Sequence, residues 1–93
     1  MGRVYNFSAG PSMWPIEVLE TAAKEMLCYG ESGMSVMEMS HRSKMYTDIY
    51  DQTVADLKDL MAVPEDYEVV FLQGGATTQF AASPMNLLEG GAA

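Results

Sequence analysis

The sequence has 93 residues and a mass of 10.2 kDa, which is enough for one small domain or for part of a larger one. Hydrophobic residues make up 48% and charged residues 19% of the chain, a composition that excludes intrinsic disorder and a fibrous repeat. The 5 basic and 13 acidic residues give a net charge of −8. This charge argues against a general nucleic-acid or anionic-membrane binder, because both need a basic face.

The cellular setting is predicted from the cysteine content and from the apolar runs. Cys28 has no second cysteine to pair with, so we expect a reducing compartment and an inert, partly buried thiol. Residues 1–11 lack the apolar stretch of a secretory signal, and no run approaches the length of a membrane span. We therefore expect a cytoplasmic protein.

An N-terminal arm and a first helix are predicted at the start of the chain. Residues 1–14 are expected to form the arm, since Gly10-Pro11 is a breaker pair and Pro15 suits the first turn of a helix. Gly30 is expected beyond the C-terminal end of this helix. Apolar residues from Pro15 onward recur at helical spacing and predict one buried stripe, formed by Ile16, Leu19, Ala22, Ala23, Met26 and Leu27.

The segment over residues 30–42 breaks the helical pattern, because two glycines precede a run that mixes methionines with polar residues. This stretch predicts either an extended segment against a core or a loop that lines a cleft, and we favour the loop. A second helix is predicted over residues 43–61, with one apolar face and one acidic face. Pro64 prevents its continuation.

A buried strand is predicted over residues 67–73, where residues 69–72 form an uninterrupted apolar run. Such a run is typical of a strand covered on both faces in a parallel or mixed sheet. One strand does not complete a sheet, and the chain ends at residues 90–93 without a closing element. The predicted fold class is therefore α/β, with residues 1–93 as the N-terminal part of a larger protein.

The first candidate site is the turn that follows this strand. Gly74-Gly75 allows a ligand to approach the backbone closely, and the helix predicted over residues 76–82 offers unpaired amides at its start. Thr77 and Thr78 add hydroxyl donors, so the turn suits a phosphate group without any basic residue. An ordinary strand-to-helix turn, capped by the threonines, is the alternative. No lysine follows the glycines and no third glycine is present, which excludes the P-loop and the dinucleotide fingerprint. Pro84 is expected to kink or stop the helix.

The second candidate site is Ser40-His41-Arg42-Ser43, directly before the second helix. The guanidinium of Arg42 has a planar set of donors that suits a carboxylate or a phosphate, and His41 adds a further donor. One interpretation is a clamp for an anionic substrate. The alternative is that Arg42 pairs with one of the many acidic side chains while His41 packs against the protein. No cluster of metal ligands is present in the sequence, so no metal site is expected.

Three blocks of sequence resemble the phosphoserine aminotransferase family, and they occur in the family's order. These blocks are residues 5–11 (YNFSAGP), 33–43 (GMSVMEMSHRS) and 71–80 (FLQGGATTQF). The likeness covers essentially the whole chain and corresponds to the N-terminal quarter of the family. In combination the blocks are far more specific than the glycine pair taken alone.

The resemblance implies a class V, fold-type-I enzyme that depends on pyridoxal 5′-phosphate. Its fold would be a three-layer αβα arrangement with a mostly parallel sheet, in which residues 15–93 begin the large cofactor-binding domain. The implied reaction moves an amino group from L-glutamate to 3-phosphohydroxypyruvate, giving O-phospho-L-serine and 2-oxoglutarate. The family works as a cytoplasmic homodimer in serine biosynthesis and, in some organisms, in pyridoxine biosynthesis.

Individual site residues are implied by their match to the family's motifs. Ala76 and Thr77 match the positions that bind the cofactor phosphate. Arg42 matches the residue that binds the anionic substrate, glutamate in particular, and His41 matches a neighbour that lines the same site. The family's Schiff-base lysine lies beyond residue 93, as do the aromatic residue and the aspartate that contact the cofactor ring. No catalytic residue is therefore expected in this chain, and we expect that the chain alone does not transaminate.

Two other functions remain as alternatives. One is a different fold-type-I enzyme, such as a cysteine desulfurase or another aminotransferase, and the Ser-His-Arg-Ser loop at residues 40–43 argues against it. The other is a small non-enzymatic module that binds a protein partner through its methionine-rich surface.

Overall fold

The computed structural model describes residues 2–90 and contains three α-helices and one 3₁₀ helix in that range. The elements, in chain order, are α1 (Ile16–Glu25), the 3₁₀ helix (Val36–Glu38), α2 (Lys44–Leu60) and α3 (Gly75–Leu87). The structure does not describe residue 1 or residues 91–93. The prediction that the sheet is incomplete used the chain end at residues 90–93, most of which lies outside the described residues.

The chain divides into two units, Met1–Gln52 and Thr53–Ala93. The first unit holds the arm, α1, the 3₁₀ helix and the start of α2. The second unit holds the end of α2 and all of α3. The two candidate sites therefore belong to different units.

The predicted N-terminal arm has no helix or strand over residues 2–14 and is ordered by side-chain hydrogen bonds. The Asn6 carboxamide oxygen accepts from the backbone N–H of Ser8 at 2.9 Å and from its hydroxyl at 2.6 Å. The Asn6 Nδ2 donates to the carbonyl of Ser12 at 3.0 Å. Arg3 donates from Nη1 to the carbonyl of Trp14 at 3.1 Å. These bonds link residues of the arm to one another immediately before α1.

Helix α1 is confirmed as an element, but its predicted buried stripe is wrong. Pro15 is its N-cap residue, as expected for a proline at a helix start, and Glu17 lies in the first turn. The stripe is open to solvent: Ile16 is 50% exposed, Leu19 44% and Leu27 87%. Helical periodicity shows which face of a helix is apolar, whereas burial requires another element to cover that face. None of the described elements does so.

A 3₁₀ helix lies inside residues 30–42, the stretch predicted to be a cleft-lining loop or an extended segment. Ser35 caps it, because its Oγ accepts from the N–H of Met37 at 3.2 Å. The carboxylate of Glu38 accepts in return from the N–H of Ser35 at 3.0 Å. This reciprocal pair is a capping box, and its Ser-x-x-Glu spacing was visible in the sequence. The loop prediction missed that signal.

Helix α2 agrees with the prediction to within one residue at each end. Its first turn follows Ser43, and its end is closed by the N–H of Val63, which donates to the carbonyl of Lys58 at 2.9 Å. Ala62 adopts a left-handed conformation with φ of 50° at this end, and Pro64 follows it. The helix therefore ends where the proline required it to end.

The predicted strand over residues 67–73 is wrong for the structure of this chain. Residues 2–90 contain no β-strand, so the predicted α/β sheet is not confirmed. The apolar run is also not buried, since Val70 is 63% exposed and Phe71 53%. A strand is defined by hydrogen bonds to a neighbouring backbone, and no described segment supplies that neighbour. Within residues 2–90, the segment therefore has no partner strand.

Helix α3 continues further than predicted. Pro84 lies inside it, and the helix runs on to Leu87, so the expectation that the proline would stop the helix is wrong. Proline removes one N–H and therefore one helical hydrogen bond. That loss falls in the last turn, and the carbonyl of Pro84 still accepts from the N–H of Leu88 at 2.9 Å.

No hydrophobic residue among residues 2–90 is buried, and the one buried residue there is Ser35, at 5% exposure. Several methionines are correspondingly open, with Met37 77% exposed. Cys28 is also exposed, whereas a partly buried thiol was expected. No helix in the described part of the chain combines the length and the apolar character needed to cross a membrane.

Candidate functional site

A tight turn places His41 and Arg42 directly before α2. The N–H of Ser43 donates to the carbonyl of Ser40 at 3.0 Å and closes the turn around these two residues. The Oγ of Ser40 accepts from the backbone N–H of Arg42 at 3.2 Å. Ser43 then caps α2, because its Oγ accepts from the N–H of Tyr46 at 3.2 Å. The two serines thus fix the backbone from which the histidine and the arginine project.

The Arg42 side chain is exposed, and it forms no ion pair or side-chain hydrogen bond with any residue in the range 2–90. Ion pairs in that range include Lys44–Asp48 at 2.9 Å and Lys58–Glu68 at 3.7 Å. The alternative in which Arg42 pairs with an acidic side chain is therefore wrong for this structure. His41 is exposed as well, so it does not pack against the protein. The five N–H donors of the guanidinium are free for an anion.

Two successive left-handed glycines form the turn before α3. Gly74 has φ of 97° and is the N-cap residue, and Gly75 has φ of 60°. A Cβ atom at Gly74 would lie 2.5 Å from the Cβ and from the Oγ1 of Thr78. A Cβ at Gly75 would meet nothing within 4 Å. Glycine is therefore required at residue 74 by both sterics and backbone conformation, and at residue 75 by conformation alone.

Three backbone amides at the start of α3 are free of partners. The first helical hydrogen bond runs from the N–H of Thr78 to the carbonyl of Gly74 at 3.4 Å. The N–H groups of Gly75, Ala76 and Thr77 donate to no group within the described range. No side chain caps the helix, so the alternative in which the threonines cap it is wrong.

These amides suit the phosphate of a cofactor. Unpaired N–H groups at a helix start carry the positive end of the helix dipole and bind phosphate groups without a basic side chain. Ala76 and Thr77, the two residues matched to the cofactor phosphate, supply two of the three free amides. The hydroxyl of Thr77 adds a further donor. The chemistry of this donor set therefore fits a phosphate ester.

A shallow groove of about 480 Å³ runs along one side of α3. It offers amides and hydroxyls but no charged side chain, so an anion would be held at the helix start and not along the groove. The groove is lined by Leu72, Gln73, Thr78, Gln79, Ala82, Ser83, Asn86 and Leu87.

Gln79 is a residue that the sequence analysis did not single out. Its side chain is half-buried, and its Nε2 donates to the carbonyl of Gln73 at 3.3 Å, on the other side of the glycine pair. No local sequence pattern marks such a bond, because it depends on how the turn folds.

Comparison with known proteins shows which protein family the chain belongs to. A family model described as Aminotransferase class-V matches residues 4–92. The chain belongs to this family.

Two curated relatives within this family are both phosphoserine aminotransferases. Phosphoserine aminotransferase of Aromatoleum aromaticum is 60% identical over 93 residues, which is 100% of this chain and 25% of that protein. Phosphoserine aminotransferase of Listeria innocua is 54% identical over 90 residues, which is 97% of this chain and 25% of that protein. The chain thus spans about a quarter of the length of the curated relatives it matches.

Solved structures of the same family have a similar backbone. Phosphoserine aminotransferase from Bacillus circulans subsp. alkalophilus matches with a TM-score of 0.88 and 50% identity, over 96% of this chain and 25% of that chain. A PLP-bound phosphoserine aminotransferase from Trichomonas vaginalis matches with a TM-score of 0.85 and 48% identity, over 90% of this chain and 23% of that chain. The resemblance drawn from the three sequence blocks is confirmed.

The structure brings the predicted site residues together in pairs. His41 and Arg42 share one turn in the unit Met1–Gln52. Ala76 and Thr77 share one helix start in the unit Thr53–Ala93. Their roles toward substrate and cofactor remain predictions.

Proposed function

We propose that this chain is the N-terminal part of a phosphoserine aminotransferase. The reaction transfers an amino group from L-glutamate to 3-phosphohydroxypyruvate and gives O-phospho-L-serine and 2-oxoglutarate. The observation that carries the proposal is the 60% identity to the Aromatoleum aromaticum enzyme over all 93 residues. The free donors of Arg42 and of the α3 start support it, because the reaction needs one site for a substrate anion and one for a cofactor phosphate.

In this proposal residues 1–14 are an arm and residues 15–93 begin the large domain of a three-layer αβα fold with a mostly parallel sheet. The protein acts in the cytoplasm as a homodimer in serine biosynthesis. Its small-molecule partners are L-glutamate and 3-phosphohydroxypyruvate. Its cofactor is pyridoxal 5′-phosphate, which supplies the electron sink for amino-group transfer when it is bound.

Ala76 and Thr77 hold the cofactor phosphate through their backbone N–H groups, together with that of Gly75. Backbone donors in a helix start are fixed in direction by the helix, so little further ordering is needed when the phosphate binds. Thr78 occupies the space that a Cβ at Gly74 would need, so the turn that precedes them requires glycine at residue 74. The phosphate is thus oriented by main-chain geometry and not by a basic side chain.

Arg42 binds a carboxylate of glutamate with its planar set of donors, and His41 lines the same site. A guanidinium with no internal partner gives up no ion pair when the substrate binds, which favours the substrate contact. The bonds from Ser40 and Ser43 hold the Arg42 backbone in the turn. We therefore expect an ion pair between the Arg42 guanidinium and a glutamate carboxylate, with the Arg42 backbone held in the turn.

The lysine that anchors the cofactor covalently is not among the lysines of this chain in our proposal. Lys44 forms an ion pair with Asp48, and Lys58 lies 3.7 Å from Glu68. Lys24 lies in the last turn of α1, where its positive charge interacts favourably with the negative end of the helix dipole. All three have ordinary surface roles, so we propose that residues 1–93 alone do not transaminate.

The test is an assay of the natural-length gene product that carries these residues, loaded with pyridoxal 5′-phosphate. We expect glutamate-dependent formation of O-phosphoserine from 3-phosphohydroxypyruvate, with 2-oxoglutarate released in equal amount. Hydroxypyruvate, which lacks the phosphate, is the matched acceptor control and should react far more slowly. Absence of O-phosphoserine with the phosphorylated acceptor would contradict the proposal.

A further inference from the structure

Gln79 reaches back across the glycine pair from the start of α3. Its Nε2 donates to the carbonyl of Gln73 at 3.3 Å, so one hydrogen bond joins the residue before Gly74 to the helix after Gly75. Gln79 is half-buried, which limits the alternative conformations of its side chain. The bond encloses the segment that carries the three free amides.

Besides the bond from Gln79, a long backbone bond from the N–H of Thr78 to the carbonyl of Gly74 at 3.4 Å closes the turn. Glycine is the most flexible residue, and two in succession give the backbone many conformations. The Thr78 side chain leaves no room for a Cβ at Gly74, whereas a Cβ at Gly75 would have no neighbour within 4 Å. Within residues 73–79, the bond from Gln79 is the one side-chain hydrogen bond that spans the turn.

We propose that Gln79 is a positioning residue for the cofactor phosphate. It acts through the carbonyl of Gln73 and keeps the turn in the conformation that directs the N–H groups of Gly75, Ala76 and Thr77 toward one anion. Gln79 itself does not touch the phosphate. This inference rests on the proposed function, because the phosphate in question is that of the bound cofactor.

The test compares two ligands that differ only in the phosphate, pyridoxal 5′-phosphate and pyridoxal. Both dissociation constants are measured by titration of the natural-length apoprotein, for the unchanged protein and for Gln79→Met. Methionine has a similar length and shape but no donor. We expect Gln79→Met to weaken binding of pyridoxal 5′-phosphate about three- to tenfold, the effect of one net hydrogen bond, and to leave pyridoxal unchanged.

Asn86 provides a matched control on the same helix. Its Nδ2 donates to the carbonyl of Ala82 at 2.7 Å, which is also an amide-to-carbonyl bond but lies away from the glycine turn. Asn86→Leu removes that bond and should change neither dissociation constant. Gln79→Asn is the second variant at the site itself, because its shorter side chain keeps the amide but leaves it farther than 3.3 Å from the Gln73 carbonyl. It should show the same phosphate-selective loss, and it tests the inference if Gln79→Met does not fold.

The outcomes separate this inference from the proposed function. If the unchanged protein prefers the phosphorylated ligand but the Gln79 variants keep that preference, the positioning role is overturned and the proposed function stands. Equal weakening of both ligands also overturns the positioning role, since a general loss of structure does not distinguish a phosphate. If the unchanged protein binds pyridoxal as tightly as pyridoxal 5′-phosphate, the proposed cofactor site fails and this inference fails with it.

Discussion

The side chain of Thr78 occupies the space that a side chain at Gly74 would need. A Cβ built on Gly74 would lie 2.5 Å from both the Cβ and the Oγ1 of Thr78, a separation shorter than real Cβ contacts adopt. The two residues meet because Gly74 has φ of 97°, which turns the chain sharply into α3. Residue 74 must therefore be glycine at the turn that precedes the amides to which we assign the cofactor phosphate.

The first prediction follows from that contact. Gly74→Ala should destabilise the protein more than Gly75→Ala, because both residues have positive φ but the Cβ clash exists at residue 74 alone. We expect about 1 kcal/mol for Gly75→Ala from backbone strain and about 1 to 3 kcal/mol more for Gly74→Ala from the clash. Urea denaturation of the natural-length protein measures both. Equal losses of stability would show that Thr78 does not restrain the turn.

The second prediction concerns Arg42. Arg42→Ala should lower kcat/KM for glutamate much more than it lowers cofactor affinity, since the lost contact is to the substrate. A charged, bidentate contact is worth about 1.5 to 3 kcal/mol, which corresponds to a loss of roughly ten- to over a hundredfold. Lys24→Ala is the matched control, because it removes the same charge from an exposed residue of α1. Unchanged glutamate kinetics in Arg42→Ala would contradict the assignment of Arg42 to the substrate carboxylate.

The third prediction concerns the cap of the 3₁₀ helix. Ser35→Ala removes the acceptor for the Met37 N–H at the one buried residue of the described chain, so we expect a loss of about 1 kcal/mol in unfolding free energy. Ser83→Ala is the control, because Ser83 is exposed within α3 and makes no side-chain hydrogen bond with residues 2–90. Thermal unfolding of the two variants gives the comparison. A Ser35→Ala protein as stable as Ser83→Ala would show that the capping box does not stabilise the segment.

The fourth prediction is that the Lys44–Asp48 ion pair contributes little to stability. Lys44 and Asp48 form an ion pair at 2.9 Å with side chains that are 86% and 61% exposed. Solvent screens such a pair, so Asp48→Asn should change stability by less than about 0.5 kcal/mol, and salt should remove the difference. Denaturation at low and high ionic strength measures this. A large loss that persists in high salt would show that Asp48 does more than pair with Lys44.

The helices were predictable because their signals are local. Pro15 and Pro64 mark where α1 begins and α2 is over, and the apolar spacing between them has helical period. The turn at residues 40–43 and the free amides at Ala76 and Thr77 were predictable for the same reason. Each depends on residues that are neighbours in sequence.

The strand and the buried stripe were not predictable in the same way. Residues 69–72 have the composition of a buried strand, but a strand exists through hydrogen bonds to a distant segment, and no such segment lies within the described residues. Periodicity likewise marks the apolar face of α1 without showing what covers it. Pro84 does not stop α3, because the cost of a proline depends on where in the helix it falls. The bond from Gln79 depends on a turn geometry that no motif encodes.

The intact mass of the natural gene product, measured with its bound ligand by native mass spectrometry, tests the central claim most directly. The chain of 10.2 kDa spans 25% of the relatives' length, so we expect a protein about four times heavier that carries pyridoxal 5′-phosphate. That result would place these residues at the start of a whole aminotransferase. A product of 10.2 kDa without cofactor would contradict the account, because it would hold an anion-binding turn and an arginine but no catalytic lysine.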